Sequence, residues 1–155
     1  MGALQSKEPV DVSDLSDPMD LALDVAVERG AVAPRFETPS ASEFSIFSNE
    51  EATLVGNNWV PVRTGLRFSM PFMLTMIVRG TGCEWEVRIQ VVDYDSSDEL
   101  VVHLRHPAHW DTTTNPVRVF AGTRVATGLI LPIARPAFSL CETSAFDEYD
   151  DAQSV

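Results

Sequence analysis

The most regular alternation of hydrophobic and polar residues lies in residues 67–94, RFSMPFMLTMIVRGTGCEWEVRIQVVDY. Nearly every second side chain from Phe68 to Val78 is apolar, and the alternation continues from Cys83 to Val91. A repeat of two residues is typical of a strand with one buried face. The pattern therefore predicts two strands joined as a long β-hairpin.

A turn at Thr81-Gly82 would place Val78 opposite Trp85 and Met76 opposite Val87. A turn one residue earlier shifts these partners but keeps the same apolar face toward the core. The register of the hairpin therefore stays open, whereas its buried face is predicted.

Shorter apolar runs on both sides of this hairpin predict further strands. They are bounded by glycine, proline and asparagine, as strands joined by turns are. The runs are 44–47, 52–55, 59–63, 99–106 and 117–133, the last being a second hairpin around Gly122-Thr123. We expect a mainly β domain over residues 44–140, an antiparallel sandwich or barrel of about six to eight strands.

A short helix is predicted before the β domain, over residues 17–30. Asp17 can cap it, Pro18 suits its first position and Gly30 follows its end. One face is acidic and the other apolar, and the apolar face could pack on the β domain or on a partner. Residues 31–43 contain two prolines and small polar residues, and they are predicted to be a linker.

The formal net charge of −12 is concentrated at the two ends of the chain. Residues 1–58 contain 11 acidic and 3 basic side chains, residues 59–140 contain 7 and 8, and residues 141–155 contain 5 and 0. The segments 1–16 and 141–155 are therefore predicted to be disordered acidic arms. Such arms disfavour nucleic acid as a partner and favour a basic protein.

Several arginines of the β domain are candidates for binding anions or lipid headgroups, because a guanidinium group suits carboxylates and phosphates. They could also bind the chain's own acidic arms or an acidic partner, although solvated charges are the favoured interpretation. These candidates are Arg63, Arg67, Arg79, Arg88, Arg118 and Arg124. Trp110, in the loop 107–116, is a candidate partner contact if it is exposed, although packing back on the core is the favoured interpretation.

The acidic and histidine residues do not form a recognisable metal motif. Asp93, Asp95 and Asp98 resemble a calcium loop but lack its glycine and its closing glutamate, so a hairpin connection is favoured. His103, His106 and His109 point in different directions on a strand followed by a proline. We therefore expect no metal and no cofactor.

No catalytic motif is present either. A pair of Cys83 and His103 could act as nucleophile and base, but Cys83 lies on the predicted apolar face, which favours a structural thiol. We therefore expect a protein that is not an enzyme. The length of 155 residues suits one domain, and the two cysteines suit a reducing compartment. No apolar run is long enough to cross a membrane, and the N-terminus does not resemble a signal peptide.

The N-terminal sequence MGALQSK matches the pattern for N-myristoylation, with Gly2 as acceptor and Ser6 and Lys7 as recognition context. One acyl chain binds membranes only weakly, so self-assembly would have to add a second attachment. The favoured hypothesis is a self-associating structural protein, similar in organisation to viral matrix or inner-coat proteins. It would lie at the cytosolic face of a membrane, or in a virion. The alternatives are a soluble cytosolic β-domain adaptor without acylation and a jelly-roll-like capsid component.

Overall fold

The computed structural model describes residues 22–82, 84–111 and 113–142, and within them it contains strands and no helix. The prediction of a mainly β, antiparallel fold is confirmed. The described residues form more strands than expected because several are only two to four residues long. The strands are β1 Asp24–Val27, β2 Phe44–Phe47, β3 Ala52–Leu54, β4 Val60–Arg63, β5 Leu66–Ser69, β6 Leu74–Arg79, β7 Glu86–Val87, β8 Gln90–Asp93, β9 Val101–Arg105, β10 Val117–Val119 and β11 Arg124–Pro132.

Two larger sheets contain most of these strands. The first has the order β2-β11-β6-β8 and the second the order β4-β9-β7, while β1 pairs with β5 and β10 with β3. Every pairing among them is antiparallel. Most neighbours in these sheets are far apart in the sequence, so the fold depends on long-range pairing.

One hydrophobic core lies between the sheets. On β5 and β6 the alternate residues Leu66, Phe68, Met76 and Val78 are buried, as their spacing predicts. Burying a side chain of this size stabilises the fold by about 1.5–3 kcal/mol. Gly128 on β11 lies against the ring of Phe44, and a Cβ atom there would come within 2.3 Å of that ring. Any larger residue at this position would displace the ring.

The prediction that residues 67–94 form one long hairpin is wrong in its strand pairing. β6 does pair with a later strand, but its partner is β8, with Ile77 opposite Val91 and Val78 opposite Gln90. The residues between these two strands do not pair with β6. They turn toward the core, where the buried Trp85 indole donates to the carbonyl oxygen of Val125 at 3.1 Å. As a result Val91 is exposed rather than buried.

The hairpin predicted around Gly122-Thr123 is wrong in the same way. Its two strands exist, but β10 pairs with β3 while β11 pairs with β2 and β6. The turn connects two different sheets because it is hydrogen-bonded to Ser48, the residue after β2. The Ser48 hydroxyl donates to the Phe120 carbonyl oxygen, and the Ser48 carbonyl accepts from Gly122.

The helix expected over residues 17–30 is wrong from residue 22 onward, where the structure shows strand β1 and a turn. β1 pairs with β5, and the Glu28 main-chain N–H donates to the Gly65 carbonyl oxygen. Strand pairing with β5 therefore overrides the weak helical pattern. The first part of that helix, the segment 1–16 and residues 143–155 lie outside the described residues, as do Gly2, Ser6, Lys7 and Cys83. No helix suited to crossing a membrane occurs in the part of the chain that is described.

Candidate functional site

Three of the predicted anion-binding arginines pair with carboxylates of the same chain. Each extends from a strand to a neighbouring segment and fastens the two together. The pairs are Arg63 with Glu28 and Glu99, Arg79 with Glu43, and Arg118 with Glu51. These arginines act within the fold, so they are weak candidates for binding a partner.

The other three arginines have different surroundings. Arg67 donates to the carbonyl oxygen of Ser97 at 3.0 Å, and the guanidinium carbon of Arg88 lies 5.1 Å from the centre of the Trp59 ring. Arg124 is exposed at the start of β11. None of the three forms an ion pair with a described residue, so each retains charge for a ligand.

The three histidines serve separate purposes. His106 is buried, where its Nδ1 accepts from the Ala108 N–H at 2.9 Å and its Nε2 lies 2.8 Å from the Asn115 carbonyl oxygen. His109 packs edge-to-face on Trp110, which is 75% exposed and so available for contact. His103 lies elsewhere, on β9. Within the described ranges no group of His, Cys, Asp and Glu is placed to hold a metal ion.

A cleft of about 370 Å³ lies between β8 and β9. These strands follow each other in the chain but belong to different sheets, since β8 pairs with β6 and β9 pairs with β4 and β7. β8 is the end strand of its sheet, so its other edge has main-chain N–H and C=O groups without a strand partner. The cleft can therefore form hydrogen bonds with a flat polar ligand.

The floor of the cleft is apolar and its interior is partly polar. Phe68 and Leu100 are buried and line it. The Gln90 side-chain amide spans the gap, where Nε2 donates to the Val101 carbonyl oxygen at 2.7 Å. A ligand that displaced this amide would reach both the aromatic floor and free main-chain groups.

The cleft is lined by four acidic residues of one short stretch, and they differ in their partners. Asp93, Asp95 and Asp98 are exposed, and their side chains form no ion pair among the described residues. Glu99 accepts two hydrogen bonds from Arg63, at 3.0 and 2.7 Å. Those bonds hold the pKa of Glu99 below its ordinary value, although partial burial acts in the opposite direction.

Among the three residues with unpaired carboxylates, Asp93 has the most firmly positioned main chain. It is the last residue of β8 and stands opposite Thr75 of β6, and its carbonyl oxygen accepts from the Ser96 N–H at 3.1 Å. Asp95 and Asp98 lie on the connection beyond the strand. A catalytic group is best held by a rigid element, so Asp93 is the strongest candidate for chemistry.

The comparisons with known proteins give a likeness of fold. No family description matches the sequence, and no curated protein matches it. The Staphylococcus bacteriophage 80alpha dUTPase matches with a TM-score of 0.70 and 15% identity, covering 79% of this chain and 97% of that one. The dUTPase of phage phi11 of S. aureus matches with a TM-score of 0.70 and 15% identity, covering 79% and 98%. The chain therefore has a dUTPase-like β fold.

This likeness overturns the expectation of a non-enzymatic, myristoylated, matrix-like structural protein. The chain has a dUTPase-like fold that covers 97% of the 80alpha dUTPase, and none of the features of that fold points to a matrix protein. A lipoprotein or viral matrix function has no support in it. The expectation rested on Gly2, Ser6 and Lys7, which lie outside the described residues, whereas the β domain defines the fold. The location at a membrane stays an untested prediction.

The expectations about partners divide in two. The likeness to dUTPases supports association between copies of the chain, whereas a membrane and a basic protein have no support. The sequence shows the carboxylates of the cleft as an acidic connection and predicts Phe68 as a core residue, but it does not indicate that they share a cleft. The separation of β8 from β9 could not be read from local patterns.

Proposed function

We propose that this chain hydrolyses a pyrimidine deoxynucleoside triphosphate bound in the cleft between β8 and β9. The observation that carries the proposal is the cleft itself, which combines an unpaired strand edge, an aromatic floor and the Asp93 carboxylate at the end of a paired strand. The likeness to phage dUTPases supports this choice of substrate. One of those structures, the 80alpha dUTPase, contains the nucleotide dUPNHPP.

The base would lie between the two strands. A pyrimidine ring presents alternating donors and acceptors along its edge, which the main-chain groups of β8 can match. Its face would pack on Phe68, and the Gln90 amide would turn from Val101 to the base. A site of this kind discriminates strongly between bases, since a wrong base leaves buried polar groups unpaired.

Hydrolysis requires a base for water and a cation for the phosphates. Asp93 would accept a proton from a water molecule whose oxygen attacks a phosphorus atom of the triphosphate. The bond from that phosphorus to the bridging oxygen breaks, and the leaving phosphate departs as an anion. Arg67, which donates to the Ser97 carbonyl oxygen in the connection between β8 and β9, would offset the negative charge.

The described residues of the chain do not provide a binding site for a metal ion in this mechanism. The phi11 dUTPase is described with a structural Mg(II) ion. The described residues of this chain offer no cluster of three or more ligands that fits such an ion. We therefore assign no step to a metal ion held by these residues.

The test measures phosphate or pyrophosphate release from dUTP, dCTP, dTTP and UTP by the full chain. We expect hydrolysis of a deoxypyrimidine nucleotide and little hydrolysis of the ribonucleotide. Asp93→Asn should lower kcat by about 10²-fold or more, since it removes the proton acceptor but keeps the shape.

Asp98→Asn is the matched control, because Asp98 is an exposed acid of the same cleft but lies outside the strand. It should retain most of the activity. If no nucleotide in this set is hydrolysed, or if Asp93→Asn is as active as the wild type, the proposal is wrong.

A further inference from the structure

A second cavity, of about 330 Å³, adjoins the floor of the cleft between β8 and β9. Its walls come from β1, the segment that follows β1, β2, β5 and β11. Phe68 of β5 lines this cavity as well as the cleft, and it is 4% exposed. One buried ring is therefore a wall that the two spaces share.

Three phenylalanine rings connect this shared wall to the surface of the molecule. The Phe36 ring packs edge-to-face on the Phe44 ring, with ring centres 5.8 Å apart, and the centre of the Phe44 ring is 6.0 Å from that of Phe68. Phe36 is 57% exposed, whereas Phe44 is buried, with Gly128 of β11 against its ring. Because packed rings resist compression, a molecule held against Phe36 and Phe44 also fixes the position of Phe68.

The size and the lining of the cavity define the body of a ligand. Among the described residues that line it, Arg35 is the one with a polar or charged side chain, and the others are aliphatic or aromatic. An apolar cavity of about 150 Å³ is large enough to hold benzene. A cavity of about 330 Å³ therefore suits a molecule with two fused aromatic rings.

Arg35 defines the charge of the ligand. Its Nε atom lies 3.5 Å from the Glu37 Oε1 atom, which is long for an ion pair, and both side chains are exposed. The main chain of Arg35 is held in place by two hydrogen bonds with Ser45 of β2, at 3.3 and 2.7 Å. A guanidinium group can donate two parallel hydrogen bonds to a carboxylate, so a ligand carboxylate would bind Arg35 more strongly than Glu37 does.

We propose that this cavity binds a planar aromatic monocarboxylate, with its rings against Phe36, Phe44 and Phe68 and its carboxylate at Arg35. The bound rings support Phe68 from the side of the cavity, so the ligand tightens nucleotide binding in the adjoining cleft. This coupling rests on the proposed function, whereas the ligand site itself does not.

The first test titrates the full chain with indole-3-acetate by isothermal titration calorimetry. We expect one site per chain, with an affinity at least about tenfold higher than that for tryptamine, which has the same rings but a positive charge. Arg35→Gln should weaken indole-3-acetate binding at least about tenfold, because it removes the charged partner of the carboxylate.

Two further variants separate the cavity from the general effect of charge. Val25→Trp should abolish binding, since Val25 lines the cavity opposite Phe68 in the β1-β5 pairing and the larger side chain would fill the space. Arg29→Gln is the matched control for Arg35→Gln. Arg29 is exposed in the turn after β1 and does not line the cavity, so this variant should bind as the wild type does. Circular dichroism checks that each variant is folded, and Arg35→Gln decides the result if Val25→Trp is not.

The second test repeats the titration with the chain saturated by dUPNHPP, the nucleotide in one of the 80alpha dUTPase structures. Each ligand should tighten the binding of the other by the same factor, about fivefold or more, because coupling between two sites is reciprocal.

The ligand site is wrong if indole-3-acetate does not bind, if tryptamine binds as tightly, or if Arg35→Gln binds as the wild type does. Equal affinities with and without the nucleotide would overturn the coupling. A chain that binds indole-3-acetate but no nucleotide would overturn the proposed function, and the coupling with it, while supporting the ligand site.

Discussion

The acidic residues between Asp93 and Glu99 fall into two groups, which differ in whether their carboxylates form ion pairs. Glu99 is clamped by Arg63, which also binds Glu28 at 2.8 Å and so connects the turn after β1 to the start of β9. Asp93, Asp95 and Asp98 are a few residues away, yet they form no ion pair with a described residue. A carboxylate that is bound to a cation stabilises the fold, whereas one without a partner remains available for chemistry.

The clamped side is also fixed by buried hydrogen bonds. The Thr64 hydroxyl is fully buried, donates to the Leu100 carbonyl oxygen at 2.6 Å and accepts from the Leu66 N–H at 3.3 Å. On the open side the Thr75 hydroxyl forms one longer bond, to the Val92 carbonyl oxygen at 3.2 Å. One side of the cleft is therefore rigidly supported, whereas the other side has a carboxylate without an ion-pair partner.

The largest effect on stability should come from replacing Phe68, which lies beneath the side of the cleft with the unpaired carboxylates. The centre of its ring is 6.0 Å from the centre of the Phe44 ring. Phe68→Ala should lower the free energy of unfolding by about 3–5 kcal/mol, because it leaves a cavity in the core. Urea denaturation measures this. Phe68→Leu, which keeps most of the volume, should cost less than about 1.5 kcal/mol. Equal losses for both would show that packing at this site is loose.

A smaller effect should separate the two threonines. Thr64→Val should lower the free energy of unfolding by about 1–3 kcal/mol, since it leaves the main-chain groups of Leu66 and Leu100 buried without this partner. Thr75→Val removes one longer bond and should cost about 0.5–1.5 kcal/mol. If Thr75→Val proved the more damaging in urea denaturation, the assignment of the rigid side would be reversed.

The smallest effect should depend on pH, because it is present at neutral pH and lost in acid. Because Arg63 lowers the pKa of Glu99 in the folded chain, this pair stabilises the fold above the ordinary value of 4.5. The contribution is lost as pH falls below 4.5 through the lowered value. Glu99→Gln should therefore melt at a lower temperature than the wild type at neutral pH, and the difference should shrink on acidification.

Glu43→Gln is the matched case, since Arg79 lowers the pKa of Glu43 in the same way. Asp98→Asn should leave the melting temperature nearly unchanged at neutral pH, because its carboxylate has no ion pair in the described structure. A melting difference for Glu99→Gln that does not change with pH would show that the clamp contributes through shape rather than charge.

The sequence by itself determined the class of the fold and much of its core. Alternation is a local property, so the buried positions of β5 and β6, among them Phe68, Met76 and Val78, could be predicted from spacing alone. The sequence also shows the acidic stretch between β8 and β9, and its local pattern predicts a hairpin connection.

Only the tertiary structure decided which strands pair and which carboxylates are free. β6 pairs with β8 because the segment between them turns inward to bury Trp85, and Glu99 is clamped because β4 brings Arg63 beside it. Both features depend on contacts between residues that are distant in the sequence. Forming such contacts costs chain entropy, and a local sequence pattern contains no information about that cost. The cleft exists for the same reason, since β8 and β9 join different sheets.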